Sequence, residues 1–172
     1  MQNLIVQDKN LIIRILLTDL VSITLIYLIP AISHLSPFPL YYAEPMRLVA
    51  IAAYFVSRNK WNAYIIALTL PVFSLIFSGH PTLFKASLIS VELFLNIWLL
   101  DWILTKVKWS SFLALGISIV ISKACYYAVK YVFISISLLE GKLISIPLQV
   151  QLMATILMSS IFYLFLKLGD KK

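Results

Sequence analysis

The stretch LFKASLISVELFLNIWLLDWIL, Leu83 to Leu104, decides the fold. It is about as long as a helical bilayer crossing, which takes roughly 20 mainly apolar residues. Lys85, Glu92 and Asp101 are its only charged residues. Spacings of 7 and 4 put Lys85, Glu92 and Asn96 on one helix face, with Leu88 and Ile89 filling the first turn. Lipid cannot satisfy such a face. It must turn toward protein or a water-filled cavity.

Similar blocks lie on either side. Spans are predicted at residues 11–32, 40–56, 63–77, 83–104, 110–133 and 144–168. This is an all-α, polytopic fold: one membrane domain over residues 1–172, built as a six-transmembrane-helix bundle. The second and third blocks are short and lean on flanking polar or aromatic residues. Ser36-Pro37-Phe38-Pro39 and Ser78-Gly79-His80-Pro81 supply turns. The block from Leu11 to Ile32 exceeds a signal-peptide core and lacks a small-residue cleavage site, so it is expected to be a retained span.

Composition agrees. The 172 residues are 62% hydrophobic and 12% charged. A soluble domain carries about 25% charged residues, so there is too little charge here to cover a water-facing surface. Mean hydropathy is +0.97. The formal charge of +7 does not indicate nucleic acid, because most basic residues fall in the gaps between apolar blocks. Lys9, Arg14, Arg58, Lys60, Lys106, Lys108, Lys167, Lys171 and Lys172 all fall on one side of a six-span layout. The other side holds residues 33–38, the Gly79-His80-Pro81 turn and the loop with Glu140 and Lys142. Basic loops stay cytoplasmic, so the expectation is a cell-membrane protein with both termini inside.

Ionisable residues within spans usually face a bundle interior and mark a functional path. Glu44 and Arg47, three apart, can share a helix face as a structural ion pair or as part of a site. Pro45 between them either starts the helix or kinks it. Glu92 and Asn96 can line a site or join helices by hydrogen bonds. Lys123, Tyr127 and Lys130 form another stripe, with Tyr126 beside it. Lys130 can snorkel to the interface, whereas Lys123 lies deeper. Interfacial placement accounts for Gln149 and Gln151.

With His80 at the rim, the outer half therefore gathers four cations (Arg47, Lys85, Lys123, Lys130) against two anions (Glu44, Glu92). Such a cavity favours a small molecule with a carboxylate or similar anionic group. Glu92 and Asn96 would read donors on it or keep Lys123 in place. Tyr41, Tyr42, Tyr126 and Tyr127 offer faces for a flat ring. In the inner half, Asp19 and Asp101 are expected to pair with Arg14 or Lys106 in a structural or docking role.

Other chemistry is sparse. His34, His80 and Cys125 are too few and too scattered for a metal site, so no metal or cofactor is expected. There is no Gly-rich phosphate loop, so ATP hydrolysis is not expected of this chain. Cys125, in an apolar run, reads as a small buried hydrophobe. A membrane cysteine-transferase built on Cys125, Arg47 and His80, acting on a lipid-linked substrate, is one alternative. A non-catalytic scaffold subunit of a cell-envelope complex is another.

The run from Asn62-Ala63-Tyr64 to Ser78-Gly79-His80-Pro81, followed by Lys85 and Glu92, resembles part of the substrate-binding S components of energy-coupling factor transporters. The layout of short spans, cytoplasmic ends and an outward polar cavity extends the likeness over nearly the whole chain. The resemblance implies capture of a vitamin-like nutrient from outside. It also implies partnership with a transmembrane T component and two ATPase subunits, and toppling of the whole S component to release cargo. Where that family often has Ala-xxx-Ala in its first span, this chain has Thr18 and Ser22 around Asp19. The N-terminal His motif of the nickel and cobalt members is absent, which speaks against metal transport.

Overall fold

The computed structural model describes residues 2–35, 40–57, 59–79 and 81–169. All regular structure among them is helical. The main helices are α1 (Gln2–Leu35), α2 (Pro45–Ser57), α3 (Lys60–Ser78), α4 (Leu83–Trp102), α5 (Ser111–Ser135) and α6 (Leu148–Gly169). Five of them are long and apolar enough to cross a membrane. The exception is α2, whose 13 residues rise about 20 Å at 1.5 Å each. A four-residue 3-10 turn, Leu40–Ala43, adds about 8 Å ahead of it. The predicted second span is thus divided in two.

Local chemistry sets the helix ends. Pro45 starts α2 rather than kinking it, since the first helical position needs no N–H. Glu44 precedes it with φ of 48°, and its carbonyl accepts from Arg47 N at 3.0 Å and Leu48 N at 3.1 Å. The Asn59 side chain caps α3 by accepting from Trp61 N at 3.0 Å. Gly79, at φ 67°, closes α3 by donating to the Leu75 carbonyl, a conformation that suits a residue without Cβ. Residues 144–147 lie outside α6, contrary to the predicted span, and α6 begins directly after Pro147.

Each helix packs on its sequence neighbour, α1 also on α3, and α2 on α4. Up-and-down connections give the bundle two ends. The Glu44 end collects the starts of α2, α4 and α6, and the Asp101 end collects the starts of α3 and α5. Ala50, Ala53, Ala63, Ala67 and Ala114 are fully buried. Small side chains let helix backbones approach, so that packing can hold a bundle whose apolar exterior gains little by leaving lipid. Large apolar side chains such as Leu16, Ile65, Trp98, Val120 and Leu157 face outward. Arg47, Asn62, Glu92, Asn96, Ser118 and Gln151 face inward. Of the apolar window of α1, only 11% is buried, which puts this helix at the periphery.

Two inward carboxylates pair differently from the sequence expectation. Asp19 on α1 accepts from Asn62 Nδ2 on α3 at 3.0 Å. Asp101 at the end of α4 accepts from Tyr54 Oη at 3.0 Å and faces Lys60 Nζ at 3.5 Å. Neither bonds to Arg14 or Lys106. The interhelical partners were invisible in sequence because they lie 43, 47 and 41 positions away. Cys125 is exposed, not the buried hydrophobe its apolar run suggests.

Candidate functional site

At the Glu44 end lies a cavity of about 380 Å³. Glu44 and Arg47 reach it from the start of α2, Lys85 and Glu92 from α4, and Lys123 and Lys130 from α5. Tyr126 and Tyr127 add aromatic surface, with ring centroids 5.3 Å apart and planes near perpendicular. Met46, Ile89, Leu93 and Ile146 make its apolar walls. Ser145, from the segment between α5 and α6, completes the rim.

Four of the charges form one chain. Lys123 bonds Glu44, Glu44 bonds Arg47, and Arg47 bonds Glu92. The two terminal nitrogens of Arg47 thus serve carboxylates on two different elements. Burial is deep: Arg47 is 3% exposed, Glu92 8%, Glu44 15% and Lys123 16%. Isolated charges at such burial carry a large desolvation cost, which mutual pairing offsets. The chain sums to zero charge and pins the start of α2 to α4 and α5. Its cost in backbone conformation falls on Glu44, whose positive φ disfavours any residue with a Cβ. One donor is left over: the buried Nε of Arg47 has no partner among the described residues.

Lys130 behaves differently. Its ammonium donates to the carbonyls of Lys142 at 2.8 Å and Leu143 at 2.7 Å, and reaches Ser145 Oγ at 3.3 Å. It therefore fastens the α5–α6 segment over the cavity instead of snorkelling to an interface. Gln151 gives a second fastening. Its Nε2 donates to the Ile146 carbonyl at 2.6 Å, while its Oε1 accepts from Tyr127 Oη at 2.9 Å. The sequence places Gln151 at an interface, but it is buried; only its partners reveal the role. Lys85 is exposed at the mouth and has no ion-pair partner among the described residues.

Seven of the nine residues singled out from sequence line this one cavity: Glu44, Arg47, Lys85, Glu92, Lys123, Tyr127 and Lys130. Asn96 does not line it. It lies deeper, almost fully buried, and donates from Nδ2 to Ser118 Oγ at 3.1 Å. His80 lies outside the described residues, as do the side chain of Tyr41 and that of His34. Glu92 holds Arg47 rather than Lys123; the partner of Lys123 is Glu44. Cys125 is not a lining residue. It opens onto an apolar groove between α4 and α5 with Leu88, Val91 and Val129, which meets the cavity at Glu92 and Tyr126.

The class that emerges is a protein whose regular structure, among the described residues, is helical, with several helices long and apolar enough to cross a membrane and a charged cavity at one end. No family model, curated protein or solved structure matches the chain.

Proposed function

We propose that the chain is a membrane-embedded binding subunit that captures a small, anionic, vitamin-like nutrient from the outer side, in the manner of an energy-coupling factor S component. The observation that carries this reading is the cavity's charge: four cations against two carboxylates, a formal surplus of +2. Low-dielectric walls focus such a field and raise the local concentration of an anion.

The orientation belongs to the same proposal. Arg14, Lys60, Lys106, Lys108 and Lys167 all fall on the side of the Asp101 end. Basic loops stay in the cytoplasm, which turns the cavity outward and both termini inward in a six-span layout. The 3-10 turn and α2 together make the sixth crossing. ATP hydrolysis is left to separate subunits, and a T-like partner would meet the peripheral α1. Thr18 and Ser22 there line an apolar groove against Ala52 and Ala53 of α2.

A non-transporting scaffold is the second reading. What favours it is the closure of the Lys123–Glu44–Arg47–Glu92 chain upon itself, as a helix-to-helix contact would close. It leaves the cavity without a purpose. Purification from native membranes separates the two: ATPase subunits and a membrane partner support transport, and cell-envelope enzymes alone support the scaffold. Labelling of Ser137→Cys from outside intact cells, in a Cys125→Ser background, tests the orientation.

A further inference from the structure

We infer that Lys85 is the residue that binds the anionic group of the ligand, and that the ligand is a small carboxylate with a mainly apolar, ring-sized body. This rests on the anion-capture reading above and divides the roles of its cations.

Three of the four lining cations already have acceptors. Arg47 spends its two terminal nitrogens on Glu44 and Glu92, and Lys123 spends its ammonium on Glu44. Lys130 is held by two carbonyls and a hydroxyl. An anion binding any of these must share or exchange acceptors that hold helices or the α5–α6 segment. Lys85 requires no such exchange. It stands at the mouth, exposed, with no acceptor among the described residues. Charge-assisted hydrogen bonds to a carboxylate are among the stronger ones available.

The remainder of the ligand meets a different surface. One turn below Lys85 are Ile89 and then Leu93, facing Met46 and Tyr126. These match an apolar or flat body. A second observation points to a ligand here: the side chain of Arg47, 3% exposed, lines the cavity and keeps one buried N–H unpartnered. Buried donors are seldom left unsatisfied, so an acceptor on the ligand body would complete it.

The test uses Ile89→Cys in a Cys125→Ser background, with Ile146→Cys as a second reporter position should the first fold poorly. A neutral thiol reagent reads occupancy of the cavity. The probes are 2-naphthoate and its neutral amide, 2-naphthamide. The expected result is protection by the carboxylate at a concentration about tenfold lower than by the amide. Lys85→Met should remove that preference and Lys85→Arg should keep it. Equal protection by the two probes, no protection by the carboxylate, or a preference that survives Lys85→Met overturns the inference.

A parallel measurement separates this from the reading beneath it. The same cysteine is reacted with anionic and cationic methanethiosulfonates, each normalised to a free thiol. A faster anionic reaction with an unmoved naphthoate preference sinks the Lys85 assignment alone. Absence of any anionic advantage sinks the anion-capture reading as well.

Discussion

Arg47 on α2 bonds Glu92 on α4 across 45 positions of sequence, and both side chains are buried. The pair joins two helices where both side chains are buried and an unmatched charge would be costly. It also decides which charges are free for a ligand, because each charge in the pair is matched by an opposite one and only the Nε–H of Arg47 is left without an acceptor among the described residues.

Breaking this pair from one side should be costly. Arg47→Met leaves Glu92 and Glu44 buried without their shared cation, and such losses run about 3–5 kcal/mol. The double variant Arg47→Met/Glu92→Met should recover part of the loss, since it removes one orphaned carboxylate too. Thermal unfolding of the purified protein in one detergent checks both. Additive losses would contradict the pairing.

Lys130→Met should loosen the segment between α5 and α6 without unfolding the helices. Hydrogen bonds from a charged donor are worth about 1.5–3 kcal/mol each, and this ammonium makes contacts to Lys142, Leu143 and Ser145. Amide hydrogen exchange over residues 140–147 is expected to rise about tenfold or more, with α5 itself unchanged. Equal exchange in variant and wild type would count against the fastening.

The opposite end should respond by chemistry rather than charge. Lys60 is half exposed, so Asp101→Asn, which still accepts from Tyr54, should cost less than about 1 kcal/mol. Asp101→Leu strips Tyr54 Oη of its acceptor and should cost about 1–3 kcal/mol. Thermal denaturation of the two variants should rank them in that order.

Asn96 should separate from the cavity residues. Its bond to Ser118 is an interhelical contact, and such contacts in membrane proteins average about 0.6 kcal/mol. Asn96→Leu should therefore shift stability only slightly and leave protection by 2-naphthoate intact. A loss of protection as large as that of Lys85→Met would place Asn96 in the site after all.

Much of this was legible in the sequence. Apolar blocks interrupted by Pro, Gly and basic turns gave the helices, because backbone groups in lipid can be satisfied only within a helix. The stripes Lys85–Glu92 and Lys123–Tyr127–Lys130 marked inward faces, because helical period and depth suffice for that. Pairing was not legible. Whether Lys123 meets Glu44 or Glu92 depends on the rotation of α5 against two other helices, which no local spacing encodes. Gln151 reads as interfacial for the same reason: its role lies in bridging Tyr127 and the Ile146 carbonyl, which local spacing does not encode. The division at Pro45 could be read only as two alternatives, and the conformation of Glu44 selects one.

Mass spectrometry of small molecules released from the purified protein reads what the cavity holds. The comparison is wild type against Ile89→Trp, which fills the cavity with a larger side chain. Wild type should release a small anionic compound that is missing from the filled variant. Release of the same compounds from both proteins, or of phospholipid alone, would contradict it.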